Sequence, residues 1–263
     1  MALVAVLLLV AGLIAIATAV VALTVSQRRA AQRSHESDAR RERLDGALRV
    51  ALAEIAFGKP GGPYWHPRAP RTVEVGGQRV EVSLEREAGR VDLNTADEKY
   101  IVAGLVAADR SDAEARTGAA RIRDWIDADD ASTGRDGAER EEYQRAGRSY
   151  EPRNGPMETV EEVRQVLGLE GLSDAALDVF TVYSQQREPA ASEASAELRS
   201  ALGGAGTPPI IAIQLPNSGD PVSYAGSVIR LHACEEGAKD RCRIAVVRVT
   251  GSSSRPWQML WWR

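Results

Sequence analysis

The sequence predicts an α+β protein. An N-terminal helix, transmembrane in its first part and amphipathic after it, lies on a small antiparallel sheet, and a large all-α domain is inserted between the strands. Three observations carry this. Residues 1–25 are apolar and hold no charged side chain. Alternating apolar and polar residues occur near residues 72–84 and again after residue 207. The stretch between them, on the order of a hundred residues, reads as helical, so a helical block interrupts a sheet.

At about 1.5 Å per residue, a helix over Met1 to Val25 crosses a hydrocarbon core of roughly 30 Å. The segment lacks the basic n-region of a cleaved signal peptide and its apolar core is too long for one. A buried core helix is the alternative to an anchor. Arg28, Arg29, Arg33, Arg40, Arg41 and Arg43 follow, and the positive-inside rule alone would put them in the cytoplasm. From Gln27 to Ala56 there is no proline, and Leu44, Leu48, Leu52 and Ile55 recur at helical spacing. One long helix therefore continues past the membrane until Gly58-Lys-Pro-Gly-Gly-Pro63 stops it.

Thr72–Val75 and Gln78–Leu84 alternate around Gly76-Gly77, the signature of a tight hairpin. Helix starts follow. Thr95-Ala-Asp-Glu98, Ser111-Asp-Ala-Glu114 and Thr159-Val-Glu-Glu162 have capping-box form, and Ser173 opens a short helix. Thr181–Ser184 reads as an extended exit, and Glu188–Ala205 as a short polar helix or linker. Ile210–Leu215, Val222–His232, Arg243–Thr250 and Trp257–Trp262 read as strands. The chain thus divides into a transmembrane segment (1–25), spine helix and first strands (26–88), an inserted helical domain (89–206), and the remaining strands (207–263).

The 263 residues carry a formal net charge of −4, with a pI near 5.6 and mean hydropathy of −0.27. Phosphate binding rests on clustered Lys and Arg, so nucleic acid is a poor partner. Cys234 and Cys242 flank a glycine-containing turn and read as a disulfide closing a hairpin, which requires an oxidising compartment such as the periplasm. Two free thiols are the alternative. The three histidines, His35, His66 and His232, lie in no motif with a nucleophile, and no phosphate loop follows a strand. No enzyme is expected.

The densest chemistry is acidic: Asp124, Asp127, Asp129, Asp130, Asp136, Glu139, Glu141 and Glu142. Ca²⁺ takes six to eight oxygens, and such a loop can supply them, though no frame fits an EF-hand. The bland alternative is a solvated loop with Asp124 and Asp127 bonded to helix ends. Val166-Leu-Gly-Leu-Glu-Gly-Leu172 has the form of a helix-hairpin-helix turn, which elsewhere offers amides to phosphate. Glu170 within it and the scarcity of flanking Lys or Arg oppose that use.

Gly89-Arg-Val-Asp-Leu-Asn-Thr-Ala96, Ile122-Arg-Asp-Trp-Ile-Asp-Ala-Asp-Asp130, Gly137-Ala-Glu139, Tyr143, Tyr150–Pro156, Val160–Val163, Val166–Gly168 and Thr181–Ser184 occur in one order. That ordered set resembles the general secretion pathway protein K family, the minor pseudopilins of type II secretion. The resemblance implies a pilin-like spine and sheet with an inserted helical domain, at the tip of a pseudopilus that exports proteins across the outer membrane. It implies an inner-membrane, single-pass protein whose C-terminal domain is periplasmic. The partners implied are the other minor pseudopilins in a tip complex, the major pseudopilin, the assembly platform, and prepilin peptidase where a basic leader exists. Ala5 stands where most major pilins carry Glu, counting Met1 as the first mature residue, and this fits a tip subunit. The family association with calcium points to Asp127, Asp129, Asp136, Glu139 and Glu142 as ligands. The rival function is a membrane-anchored periplasmic protein that binds DNA through the hairpin.

Overall fold

A computed structural model describes residues 2–58, 65–67, 69–204 and 224–263. A single helix, α1, runs over Ala2–Phe57. The expected anchor falls on its first half, where many side chains lie outside the described set. Among the described residues no helix is long and apolar enough to cross a membrane. The expected strand at Ile210–Leu215 also lies outside the described residues.

The second half of α1 buries Leu44, Ala47, Leu48, Ala51 and Leu52 against a sheet. The sheet comprises β1 (Arg71–Val75), β2 (Gln78–Arg86), β5 (Val228–Glu235), β6 (Ala238–Val249) and β7 (Trp257–Trp262). Its order is β1-β2-β5-β6-β7, with every neighbouring pair antiparallel. The leucine spacing read from the sequence is the buried face, widened by two alanines that let helix and sheet approach. Burying each leucine contributes about 1.5–3 kcal/mol. Val80, Val82 and Leu84 of β2, with Ile229, Leu231 and Ala233 of β5, supply the facing layer. Gly76 and Gly77 have φ of +60° and +73°, the left-handed geometry that a primed hairpin turn requires.

Between β2 and β5 the chain leaves the sheet and builds a second core running from Val91 to Leu202. It contains α2 (Glu98–Ala107), α3 (Asp112–Ile126), α4 (Arg140–Arg145), a 3₁₀ turn (Val160–Gln165), α5 (Asp174–Leu177) and α6 (Ala196–Gly204). The insertion is mostly helical but not all-α. Entry and exit are joined as two short parallel strands, β3 (Val91–Asp92) and β4 (Phe180–Thr181), so the expected extended exit is a strand.

The caps depart from expectation in an informative way. Ser111 and Glu114 form the reciprocal capping box at α3, and Ser173 accepts from the Ala176 amide. At Thr95 the expected start is displaced: α2 begins at Glu98 after Asp97, because Asp92 takes up the Asn94 and Thr95 amides first. Thr159 precedes a 3₁₀ turn, without a side-chain cap bond. The linker candidate before Ala205 is α6, whose Leu198 and Leu202 are buried in the second core.

The two cores meet across a polar joint on the sheet face away from α1. Glu87, fully buried, accepts from Arg230 Nε at 2.6 Å. Arg90 lies against Glu85, Glu87 and Asp178. Arg86 reaches Glu193 at 3.1 Å and Ser227 at 2.7 Å.

Candidate functional site

The residues that give the insertion its recognisable sequence act first as tethers. Asp92 Oδ1 accepts from the amides of Asn94 and Thr95 at 3.0 and 3.2 Å, while Oδ2 accepts from Gln185 N at 2.8 Å and Ser184 Oγ at 3.1 Å. One buried carboxylate thereby ties the entry of the insertion to its exit. Asn94 pairs with the Met157 backbone in both directions, at 3.0 and 2.8 Å. Trp125 Nε1 donates to Glu162 at 3.0 Å. Sequence reasoning did not single out Asp92 as a functional position; its place in the Val-Asp-Leu-Asn run was the available signal.

The acidic loop begins where α3 ends. Asp124 is fully buried, and its oxygens accept from Thr133 N at 2.8 Å and Ala138 N at 2.6 Å. A Cβ at Gly137 would stand 2.3 Å from Asp124 Oδ2, so only glycine lets the loop fold back onto this carboxylate. Asp124 is thus a loop organiser rather than an exposed ligand.

The five carboxylates expected to hold Ca²⁺ are not brought together, and among the described residues no three His, Cys, Asp or Glu side chains form a group able to hold a metal. Asp129 is exposed and accepts from Ala131 N at 2.9 Å. Asp136 is exposed. Glu142 accepts from Glu139 N at 3.0 Å and pairs with Arg145. The remaining two differ: both carboxylate oxygens of Glu139, and Oδ1 of Asp127, are buried with no hydrogen-bond partner.

Leaving carboxylate oxygens desolvated and unpaired is costly. Burial, then repulsion from Asp124, Asp127, Asp130 and Asp129, pushes Glu139 up to about 7. Burial, followed by Asp129 and Asp124, raises Asp127 as well. Four aspartates therefore crowd negative potential around one buried glutamate.

The hairpin turn is occupied by its own side chains. Glu170 Oε2 accepts from the Gly168 amide at 2.9 Å, and its other oxygen pairs with Arg148. Arg164 binds the Leu172 carbonyl at 2.8 Å and Asp174 at 2.6 Å. A carboxylate stands where a phosphate would approach, and Arg148 and Arg164 are already committed.

Cys234 and Cys242 form a disulfide across the β5–β6 register, with Cα atoms 4.1 Å apart. His232 is held beside Glu85, Arg230, Arg90 and Asp178, and burial lowers its pKa. His35 is exposed on α1 and His66 lies beside the buried Trp65.

Residues 90–185 match the family model described as Type II secretion system (T2SS), protein K. No match was found among the curated proteins. Among solved structures, the fold is similar to a chain described under the heading of the crystal structure of the GspK-GspI-GspJ complex from the enterotoxigenic Escherichia coli Type 2 Secretion System. The TM-score is 0.52 at 15% identity, with 91% of this chain and 98% of that chain covered. The family match ends at the insertion, whereas the likeness of fold extends over the sheet.

Proposed function

We propose that the whole chain, not its insertion alone, is a protein K of the type II secretion system: a minor pseudopilin at the pseudopilus tip that helps initiate its assembly. The observation that carries this is that the protein K match at residues 90–185 begins where the second core begins, at Val91, and spans most of that core, which reaches Leu202, inside a spine-helix-and-sheet fold. A generic anchored protein has no reason to interrupt its sheet with that insertion.

The structural neighbour comes from a complex described as GspK-GspI-GspJ, and on this reading the present chain likewise assembles with two other minor pseudopilins. The uncharged run 1–25 anchors it in the inner membrane before assembly, and the disulfide suits a periplasmic domain. A DNA-binding function is disfavoured by Glu170, which already occupies the Gly168 amide.

Calcium belongs to this reading. Asp127 and Glu139 hold the orphaned oxygens and fit a hard cation; Asp129, Asp136 and Glu142 would join only after side-chain rotation. The ion would supply positive charge that neutralises the loop, a structural rather than a catalytic contribution. For the function as a whole, removal of the chain from its host should leave secreted proteins trapped in the periplasm, and restoring it should return them to the medium. Undiminished export without the chain would contradict the proposal.

A further inference from the structure

One feature of α1 is used neither by the sheet nor by the insertion. Residues 1–25 carry no charge and the first acidic residue is Glu36; between them stand Arg28, Arg29 and Arg33. Val20, Val21, Leu23 and Val25 are exposed apolar side chains, and the three arginines that follow are exposed as well. Arg40 and Arg43, further along, are held by Glu235 at 3.2 and 3.4 Å. Among the described residues Arg28, Arg29 and Arg33 have no ion-pair partner.

Geometry gives these charges a place. The helix is unbroken through this stretch, so the three α-carbons lie about 4–12 Å beyond Val25 along its axis. The headgroup region adds roughly 5–8 Å to each side of the hydrocarbon core, and a long arginine side chain reaches back toward it by snorkelling. At about 100° per residue the three span about 140°, a little over a third of the helix circumference. They form a partial collar rather than a single stripe. A guanidinium is also the side chain best shaped to grip a phosphate with two donors.

We propose that Arg28, Arg29 and Arg33 bind the phosphates of anionic phospholipids where α1 leaves the bilayer. This rests on the reading that residues 1–25 enter the membrane. The collar fixes the depth of the helix and tethers the subunit until assembly draws it out. Each basic side chain near an anionic surface is worth about a fivefold gain in association, so three act as a substantial but reversible hold.

The test uses the full chain in bilayer discs of mixed phosphatidylcholine and phosphatidylglycerol, extracted in detergent, with retained lipid measured by mass spectrometry. The wild type should retain phosphatidylglycerol at least about fivefold above its bulk share, the effect of a single such side chain. The R28Q/R29Q/R33Q variant should fall close to the bulk ratio, R28K/R29K/R33K should keep most of the enrichment, and R40Q/R43Q should match wild type. Equal enrichment in the triple glutamine variant, or none in wild type, overturns the proposal. So does a triple variant that keeps its lipid but loses binding to the other minor pseudopilins, which would assign the collar to a protein partner. Flotation with pure phosphatidylcholine vesicles tests the premise separately: a wild-type chain that does not float removes the anchor, and the proposal with it.

Discussion

Arg230 Nε lies 2.6 Å from Oε1 of Glu87, and neither side chain is more than 8% exposed. Arg230 belongs to the middle strand of the sheet and Glu87 to the first turn of the chain leading into the insertion. The two cores are therefore joined through buried charge, which tolerates little change of register. Replacing Arg230 alone, as R230M, leaves the buried Glu87 carboxylate with only Arg90, 3.8 Å away, and should cost about 3 kcal/mol in denaturant unfolding, the low end for a broken buried pair. The double variant E87L/R230M should recover most of that loss.

His232 gives the same joint a pH dependence. Burial disfavours its protonation, with Glu85 opposing that effect and Arg230 and Arg90 reinforcing it. The folded pKa lies below the ordinary value, so the unfolded chain takes up a proton first. Stability from this group is complete above about pH 6.5 and falls as the pH drops below that value. The variant H232Q should lose this component of the acid limb in melting curves taken from pH 8 to 5.

Glu139 works in the opposite sense. Its folded pKa of about 7 exceeds the unfolded value, so the ionised form burdens the fold above pH 7. The burden is relieved as the pH falls from about 7 toward 4.5. In the absence of divalent ions, E139Q should be more stable than wild type at pH 8 by about 1–2 kcal/mol, discounted for screening of a shallow loop. Millimolar Ca²⁺ should raise the melting temperature of wild type and leave E139Q nearly unchanged. A wild-type protein indifferent to Ca²⁺ would remove the cation from this account.

The Cys234–Cys242 bridge closes a loop with a sequence separation of 8. In the chain-entropy model such a loop contributes about 2–3 kcal/mol. The C234S/C242S variant should unfold at correspondingly lower denaturant, with the insertion unaffected in near-ultraviolet circular dichroism.

The framework was legible because it depends on local pattern. Leu44, Leu48 and Leu52 announced the buried face of α1, Gly76-Gly77 the hairpin, and Ser111 with Glu114 a helix start. What was not legible depends on contacts distant in sequence. Thr95 looked like a cap, but Asp92 claims its amide while also binding Gln185, some ninety residues on. The acidic run looked like one ligand set, yet local spacing could not reveal that Asp124 is spent on the Thr133 and Ala138 amides and Glu142 on Glu139 N. Within the acidic run, among the described residues, only Asp127 and Glu139 keep unpaired buried oxygens, and no local spacing could reveal it. The parallel β3–β4 pair was likewise hidden, since Val91 and Phe180 meet only once the insertion has closed.

On the proposed function, this chain joins two other minor pseudopilins through a spine helix and sheet that carry an insertion matching the protein K family model. The most direct test is co-purification of the tagged full chain, in mild detergent, with the two minor pseudopilins of its own secretion system. The account predicts a stable complex containing one copy of each subunit. The same preparation without those partners, or with a variant unfolded at the Arg230–Glu87 joint, should yield no such species. A correctly folded chain that elutes alone in the presence of both partners would contradict the account.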